Sequence, residues 1–375
     1  MSKEWLKKQM MKNKPKKVEN VYIKENNEIK INTNIKEKEE KIEMNKIMTV
    51  AIDAGKGYTK CVTNKPEIIE RNGKKVEKDN WTTDIEMSTI EKGEADLGST
   101  IYIKNKGEKE YSAYNFNTRK KVVENSDKSK NNAEHQALMQ RALYKVAKRE
   151  GVTDFDVVMC ISLDQFRLQD NIDKMQENMN VGEFTIKEDG KETTIRIHNL
   201  VIEPESIVAT RYAKKTKLAD SNVVLVDIGT LNIGIAPIDH GKLIKEDVVA
   251  PRNGYDYMID RFKEYSDSRN FDYKKSMLEI YVDEHQGSGH KLDEVFKDFF
   301  RDIYSPIIKE KISEKGFGEF SRLVFMGGTS IKCKGVIEEN FSKDYLGVDV
   351  IEDIFATVKG AYKKGVKDIE KMKQI

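Results

Sequence analysis

Cysteine is scarce in this chain. The three present, Cys61, Cys160 and Cys333, lie far apart and form no CxxC spacing. This argues against a disulfide scaffold and a structural zinc site, and it suits a reducing compartment. Proline is also scarce, at 6 residues, while Asn, Ile and Lys are abundant; we read this as coding bias without functional weight. No apolar run approaches the ~20 residues that span a bilayer, so no membrane partner is expected. An excess of one charge is missing as well. Lys and Arg number 66 against 64 Asp and Glu, for a net charge of +2. Direct nucleic-acid binding normally shows as a basic face or stripe, and this balance does not announce one. Met1 to Lys17 is charged and has no apolar core like that of a signal peptide. The expectation is a soluble, cytoplasmic protein.

At 375 residues the chain has room for two domains of roughly 150 residues each. Residues 1–46 are rich in Lys, Glu and Asn and poor in aromatics, which predicts a basic, flexible arm. Within it Val21 to Ile23 and Ile29 to Ile31 flank Asn26-Asn27, a possible hairpin turn. Order is expected from Ile47. Ile47 to Ile52 is an apolar run of strand length, followed by Asp53-Ala-Gly-Lys-Gly-Tyr-Thr-Lys60 and a return strand from Tyr58 to Val62. Between about Pro66 and Asn132 short β-like pieces alternate with charges and glycines, a pattern that resembles a small inserted subdomain. Glu134 to Glu150 has helical spacing. Asp189-Gly190 sits between two β-like runs as a hairpin signal. Pro204 is expected to open a helix reaching about Leu218.

A second cycle begins at Asn222. Val223 to Val226 reads as a strand, Asp227 to Gly234 as an acidic Gly turn, and Ile233 to Ile238 as its return. Helical patterns follow around Tyr257 to Tyr265, Tyr273 to Val282 and Leu292 to Lys311. A late strand, Leu323 to Met326, runs into Gly327-Gly328-Thr329-Ser330. A last helix is expected from about Ile351, with Ala356 and Gly360 four apart for close packing. A strand, an acidic Gly turn and a return strand thus occur twice, about 170 residues apart.

That duplication carries chemistry. A triphosphate is a dense anion, held by backbone N–H groups from tight glycine turns where no Cβ blocks approach. Its Mg²⁺ keeps several waters and needs only one or two carboxylates. One strand-Asp-x-Gly turn occurs in any β protein. Two at matching places, with a Gly-Gly turn after a late strand, are far more specific.

Asp53 to Lys60 resembles the phosphate-1 loop of the actin, heat-shock chaperone and sugar kinase superfamily. Asp227 to Gly234 resembles phosphate-2, and Phe325-Met-Gly-Gly-Thr-Ser330 the adenosine motif. The three stand in family order over residues 47 to 365. The segment Glu203-Pro-Glu-Ser-Ile-Val-Ala209 most resembles the ParM-like plasmid-segregation actins. The resemblance implies an α/β, actin-like fold of two related domains with a nucleotide cleft between them. Its divisions would be an arm at 1–46, domain I at 47–220 with a small inserted subdomain at 66–132, domain II at 221–350, and a C-terminal helix at 351–375 returning to domain I.

It also implies roles. Glu205, at a helix start that favours the ionised form, matches the carboxylate orienting the attacking water, and with Asp227 makes the catalytic pair. Asp53 and Asp227 would hold Mg²⁺ through water. Gly55 and Gly229 match the turns whose N–H groups face the β- and γ-phosphates. The nucleotide-binding set takes in Lys56, Gly57, Tyr58 and Lys60 of the first loop and Thr230, Leu231 and Asn232 of the second. Gly254 and the adenosine turn Gly327, Gly328 and Thr329 complete it. The cofactors implied are ATP or GTP with Mg²⁺.

Three positions depart from the family pattern. Lys56 stands where Ser or Thr is usual, and either touches a phosphate or points into solvent. Asn232 stands for the common Thr and Gly234 for the common Asp, so turnover could be slow or the metal could lean more on Asp53. Other candidates read as ordinary structure. His285 and His290 flank a loop, Lys214, Lys215 and Lys217 suit a solvated helix end, and Asp164 and Arg167 suit interdomain packing.

The implied function is a filament-forming ATPase whose partners are its own copies and a DNA-binding adaptor of the ParR type, with plasmid centromere DNA contacted only through that adaptor. The alternatives are a small-molecule kinase, a chaperone-like ATPase and a non-enzymatic nucleotide sensor. For the kinase no separate substrate base stands out, and for the chaperone the chain ends soon after the adenosine motif.

Overall fold

The computed structural model describes residues 47–71, 73–94, 100–116, 130–212, 222–240, 242–318 and 321–374. The expected hairpin in the arm, the end of the helix toward Leu218, and Lys214, Lys215 and Lys217 lie outside these residues.

The first sheet is built from strands β1 (Met48–Ala54) and β2 (Tyr58–Asn64), then, beyond the small hairpin β3 (Glu67–Arg71) and β4 (Lys74–Lys78), from β5 (Trp81–Met87), β6 (Glu91–Lys92), β7 (Ile101–Asn105) and β8 (Ser112–Asn115). Helix α1 (Ala133–Glu150) leads to β9 (Asp154–Ile161). The short helices α2 (Leu163–Phe166) and α3 (Gln169–Met179) precede β10 (Glu183–Glu188) and β11 (Lys191–Pro204). Nine strands lie in the order β5-β2-β1-β9-β11-β10-β7-β8-β6, with β1, β9 and β11 parallel. The segment expected as an inserted subdomain is therefore no separate unit. Its β5 pairs with β2 at one edge, and β7, β8 and β6 extend the other edge beyond β10. Only β3 and β4 stand apart, as their own two-stranded sheet. Sequence spacing could not show this, because an edge strand recruits partners far away in sequence.

The second sheet comprises β12 (Val223–Ile228), β13 (Ile233–Asp239), β14 (Lys242–Leu243), β15 (Arg322–Met326) and β16 (Gly347–Val350), in the order β14-β13-β12-β15-β16. Its centre repeats the first sheet: an antiparallel hairpin followed by two parallel strands. The two hairpins correspond position by position. Asp53 lies opposite Lys60 and Asp227 opposite Gly234. Gly55 N–H closes the first turn on Tyr58 C=O at 3.1 Å, and Gly229 N–H closes the second on Asn232 C=O at 3.0 Å.

Two expected boundaries moved. Pro204 is the last residue of β11, not the first of a helix; a turn at Glu205 and Ser206 follows before α4 (Ile207–Tyr212). Proline is tolerated at either place, so the residue alone did not decide. The C-terminal helix starts at Ala356, because β16 ends at Val350 and a connection follows in which Asp353 Oδ1 accepts from Phe355 N–H at 2.8 Å.

Each domain buries its own core. Helix α1 lays Leu138, Met139, Leu143 and Val146 on the first sheet. It is capped by Asn132, whose side chain accepts from His135 N–H at 2.9 Å, and by Gly151 in the left-handed region at φ 68°. In the second domain α5 (Tyr255–Ser268), α6 (Lys275–Ile280), α7 (Leu292–Phe299) and α8 (Ser305–Ser313), with the π-helical turn Phe300–Tyr304 between the last two, gather Phe262, Phe296, Phe299 and Phe300 beneath β12 and β15. The short α9 (Gly328–Lys332) and α10 (Lys334–Phe341) follow β15.

Helix α11 (Ala356–Met372) returns to the first domain and packs on α4, β1 and β9. A Cβ at Gly360 would collide with the Val208 carbonyl, so glycine there sets how close the two helices come. The same helix holds a buried acid. Lys364 Nζ lies 3.1 Å from Glu203 Oε1 and also pairs with Asp368. Burial pushes the Glu203 carboxyl up to about 7, with Lys364 opposing and Asp368 adding to the rise.

Such a group holds its proton in the folded protein where the unfolded chain has lost it. Stability is therefore lost as pH rises from about 4.5 to about 7, and is level above. Glu203→Gln is expected to stabilise the protein by about 2 kcal/mol at pH 8, and hardly at all near pH 4.5. Melting curves of both proteins at the two pH values check this, and an equal shift at both would refute it.

Candidate functional site

The acidic turns face each other across a cleft of about 370 Å³ between the two sheets. Asp53 approaches from the end of β1, Asp227 from β12, and Glu205 from the turn after β11. The loops also touch, since a Cβ at Gly57 would strike Thr230 Oγ1. The first loop is pinned from behind: Ser88 N–H donates to Gly57 C=O at 3.1 Å and Ser88 Oγ to Gly55 C=O at 2.5 Å.

The second loop rests on the start of α5. Gly254, Tyr255 and Asp256 N–H donate to the carbonyls of Leu231, Gly229 and Thr230 at 2.9, 2.9 and 3.0 Å. In a trans peptide the N–H points opposite its C=O. The N–H groups of Thr230, Leu231 and Asn232 therefore point away from α5, as in an anion-binding nest. The Gly55 and Gly229 N–H groups do not serve as expected, because each is spent closing its own turn. These glycines shape the loops, and in the second loop the residues after Gly229 carry the outward amides. Gly254 does not line the cleft. A Cβ there would lie 2.6 Å from Gly229 O and 2.7 Å from Asn232 N, so it lets α5 brace the loop.

The remaining expected residues of the two loops, with Glu205, Gly327, Gly328 and Thr329, all line the cleft. Gly327 is held at φ 90°, where a side chain is strained, and its Cβ would lie 2.5 Å from Asp227 Oδ1. Gly234 is less constrained, as a Cβ there would make only ordinary contacts with Asp227 and Leu163. Asp164 lines the cleft too, whereas Arg167 does not.

Lys130 went unnoticed in the sequence. It precedes α1 and lies 77 residues from Asp53, yet its Nζ donates to Asp53 Oδ1 at 2.7 Å and to Glu205 Oε1. No motif marks it; only the packing of α1 on the sheet brings it in. A second cluster in the cleft wall was also missed. Tyr255 OH donates to Asp283 Oδ1 at 2.8 Å, and Lys332 pairs with Asp283 while lying 4.8 Å over the Tyr255 ring. Lys332 follows the Gly327-Gly328 turn by one helical turn, which was the available signal.

The electrostatics follow from burial and charge count. Burial works to raise Asp53, but Lys130 and then Lys60 outweigh it and hold the carboxyl below its usual range. Burial drives Glu205 up to about 7, with Lys130 opposing and Asp53 and Asp227 adding to the rise. Glu205 sits in the turn just before α4 rather than in its first turn, and burial outweighs the help expected from a helix start. Burial likewise raises Asp227, against Ser206 Oγ donating at 2.6 Å and Lys60. Three acids thus share too little positive charge, a deficit that a divalent cation answers.

The wall also holds Asp164 Oδ1, buried without a hydrogen-bond partner among the described residues. Among those residues no three acids, histidines or cysteines converge as a metal cage. The donor set therefore fits Mg²⁺ held through water and phosphate oxygens rather than by protein alone.

A sequence profile described as the actin-like proteins N-terminal domain matches residues 51–207. No curated protein matches the chain by sequence. Among solved structures it is similar to the apo ParM protein of pSK41, at 13% identity and a TM-score of 0.63, over 87% of this chain and 99% of that one. It is also similar to Ta0583, an archaeal actin homolog, at 15% identity and 0.60, over 86% and 100%. A third is an AlfA filament bound to AMPPNP, at 15% identity and 0.53, over 87% and 99%. At such identities the likeness is one of fold. No helix among the described residues is long and apolar enough to cross a membrane. The profile match lies in the first domain and the structural likeness runs through both, so the chain carries an actin-like N-terminal domain and has an actin-like fold.

Proposed function

We propose that this chain binds a nucleoside triphosphate with Mg²⁺ in the cleft, hydrolyses it, and assembles into filaments in response. The observation that carries the reading is the pair of corresponding acidic hairpin turns facing each other beside Glu205. The outward amides of residues 230–232 receive phosphate oxygens, and Asp53 and Asp227 hold the metal through water. Mg²⁺, when bound, would neutralise phosphate charge. Glu205 accepts a hydrogen bond from the attacking water and aligns it with the γ-phosphorus. Such a transfer asks the protein mainly for position and charge stabilisation. Tyr255, Asp283 and Lys332 meet the nucleoside beside Gly327 and Gly328.

The fold likeness to a ParM protein and to an AlfA filament bound to AMPPNP supports assembly coupled to nucleotide. The near balance of charge fits self-association and contact with plasmid DNA through a separate adaptor. The cytoplasm is the compartment this role requires, and the three buried free cysteines suit it.

Light scattering and negative-stain microscopy with ATP, GTP and ADP test the reading. Filaments are expected with a triphosphate and Mg²⁺, and disassembly after hydrolysis. Protein that stays monomeric with every nucleotide, at concentrations on the order of tens of micromolar, would overturn it.

A further inference from the structure

We propose that Lys130 is the residue by which this protein tells a triphosphate from a diphosphate, its ammonium bonding the terminal phosphate. The inference rests on the nucleotide reading above. The lysine side chain is 6% exposed and lines the cleft. An ammonium has three N–H donors. One goes to Asp53 Oδ1 at 2.7 Å and one to Glu205 Oε1, on two different elements of the first domain. No acceptor among the described residues takes the third.

The position of this cation gives it a selective partner. The Gly327-Gly328 turn follows β15, and residues 230–232 line the same cleft as Lys130 and Glu205. Glu205, the group that must reach the attacked phosphorus, is bonded to Lys130 itself. Only the last phosphate of a triphosphate extends as far as Glu205, so only a triphosphate meets the third N–H.

Charge reinforces the geometry. Asp53, Glu205 and Asp227 already outnumber Lys130 and Lys60, so a γ-phosphate entering without a cation contact would be repelled. Lys130 is also fixed in place: two residues on, Asn132 caps α1, whose apolar face is buried on the sheet. Its ammonium needs no rearrangement to meet the incoming oxygen, and a charge-assisted bond of this kind is among the stronger ones.

The test is binding, measured by titration calorimetry with AMPPNP and with ADP, each with Mg²⁺. Lys130→Met is expected to weaken AMPPNP roughly 10- to 100-fold, the range for a hydrogen bond to a charged group. ADP should change less than about threefold, because it lacks the phosphate concerned. Removing the ammonium leaves two carboxylates facing each other, which could unfold the single variant. The double variant Lys130→Met with Glu205→Gln relieves that repulsion and is compared with Glu205→Gln alone. If wild-type protein prefers AMPPNP and both comparisons leave that preference intact, Lys130 is only a brace between Asp53 and Glu205 and the proposal falls. Wild-type protein that binds neither nucleotide removes the nucleotide reading, and this inference with it.

Discussion

Glu205→Gln is expected to lower phosphate release by roughly 10²- to 10⁴-fold while filaments still form and then persist. The glutamine retains an oxygen that can accept from Lys130, so the brace to Asp53 survives and the site keeps its shape. What disappears is an acceptor able to take a proton from water. In the resting protein Glu205 sits at about 7, where burial and the neighbouring Asp53 and Asp227 are balanced against Lys130. A group poised there serves proton transfer at neutral pH better than an ordinary exposed glutamate. Because the residue contributes to hydrolysis and not to holding the nucleotide, assembly and turnover should separate. Phosphate release and sedimentation on the same samples decide the matter. A variant that hydrolyses within about threefold of wild type would remove Glu205 from this role.

The second large effect is expected at Gly327. Its φ of 90° with ψ of 162° lies in a region essentially reserved for glycine. A Cβ would stand 2.5 Å from Asp227 Oδ1 and 2.8 Å from Ile228 O, so an alanine must displace the carboxylate and the backbone that carry the second phosphate loop. Strain of this kind costs on the order of 1–3 kcal/mol. Expressed at the site, this weakens nucleotide binding by roughly 5- to 150-fold. The adjacent Gly328→Ala is the control, since its Cβ would meet nothing within 4 Å. Calorimetric ADP affinities, with circular dichroism to confirm the fold, compare the two. Equal affinities for the two variants would show that the close approach of β15 to Asp227 does not govern the site.

The sequence alone made the two acidic glycine loops legible, because a strand, an acid and a glycine turn are local features. Asp53 to Lys60 and Asp227 to Gly234 could be found without any contact being known. The Gly327-Gly328 turn was legible for the same reason, and so were α1 and the hairpin at Asp189-Gly190. These rest on periodicity and turn chemistry within a few residues.

What the tertiary structure decided was everything that depends on meeting across distance. Pro204 suited a strand end as well as a helix start, and pairing of β11 with β9 chose the strand. The pieces between Pro66 and Asn132 resembled an insertion until their pairing with β2 and β10 made most of them sheet edges. The two acidic glycine turns were visible, but not that Gly55 and Gly229 spend their N–H groups on their own turns. That outcome hangs on backbone direction, which the braces from Ser88 and from the start of α5 impose.

Lys130 shows the boundary most plainly. Nothing around it differs from the many other lysines of a chain with 66 Lys and Arg residues. It becomes part of the site only because α1 packs on the sheet and delivers its ammonium between two carboxylates. The sequence by itself determined where the two acidic glycine turns lie, since a strand, an acid and a glycine turn are short-range features. The tertiary structure alone determined their charge environment, since Coulomb interaction and desolvation depend on which distant side chains are buried together.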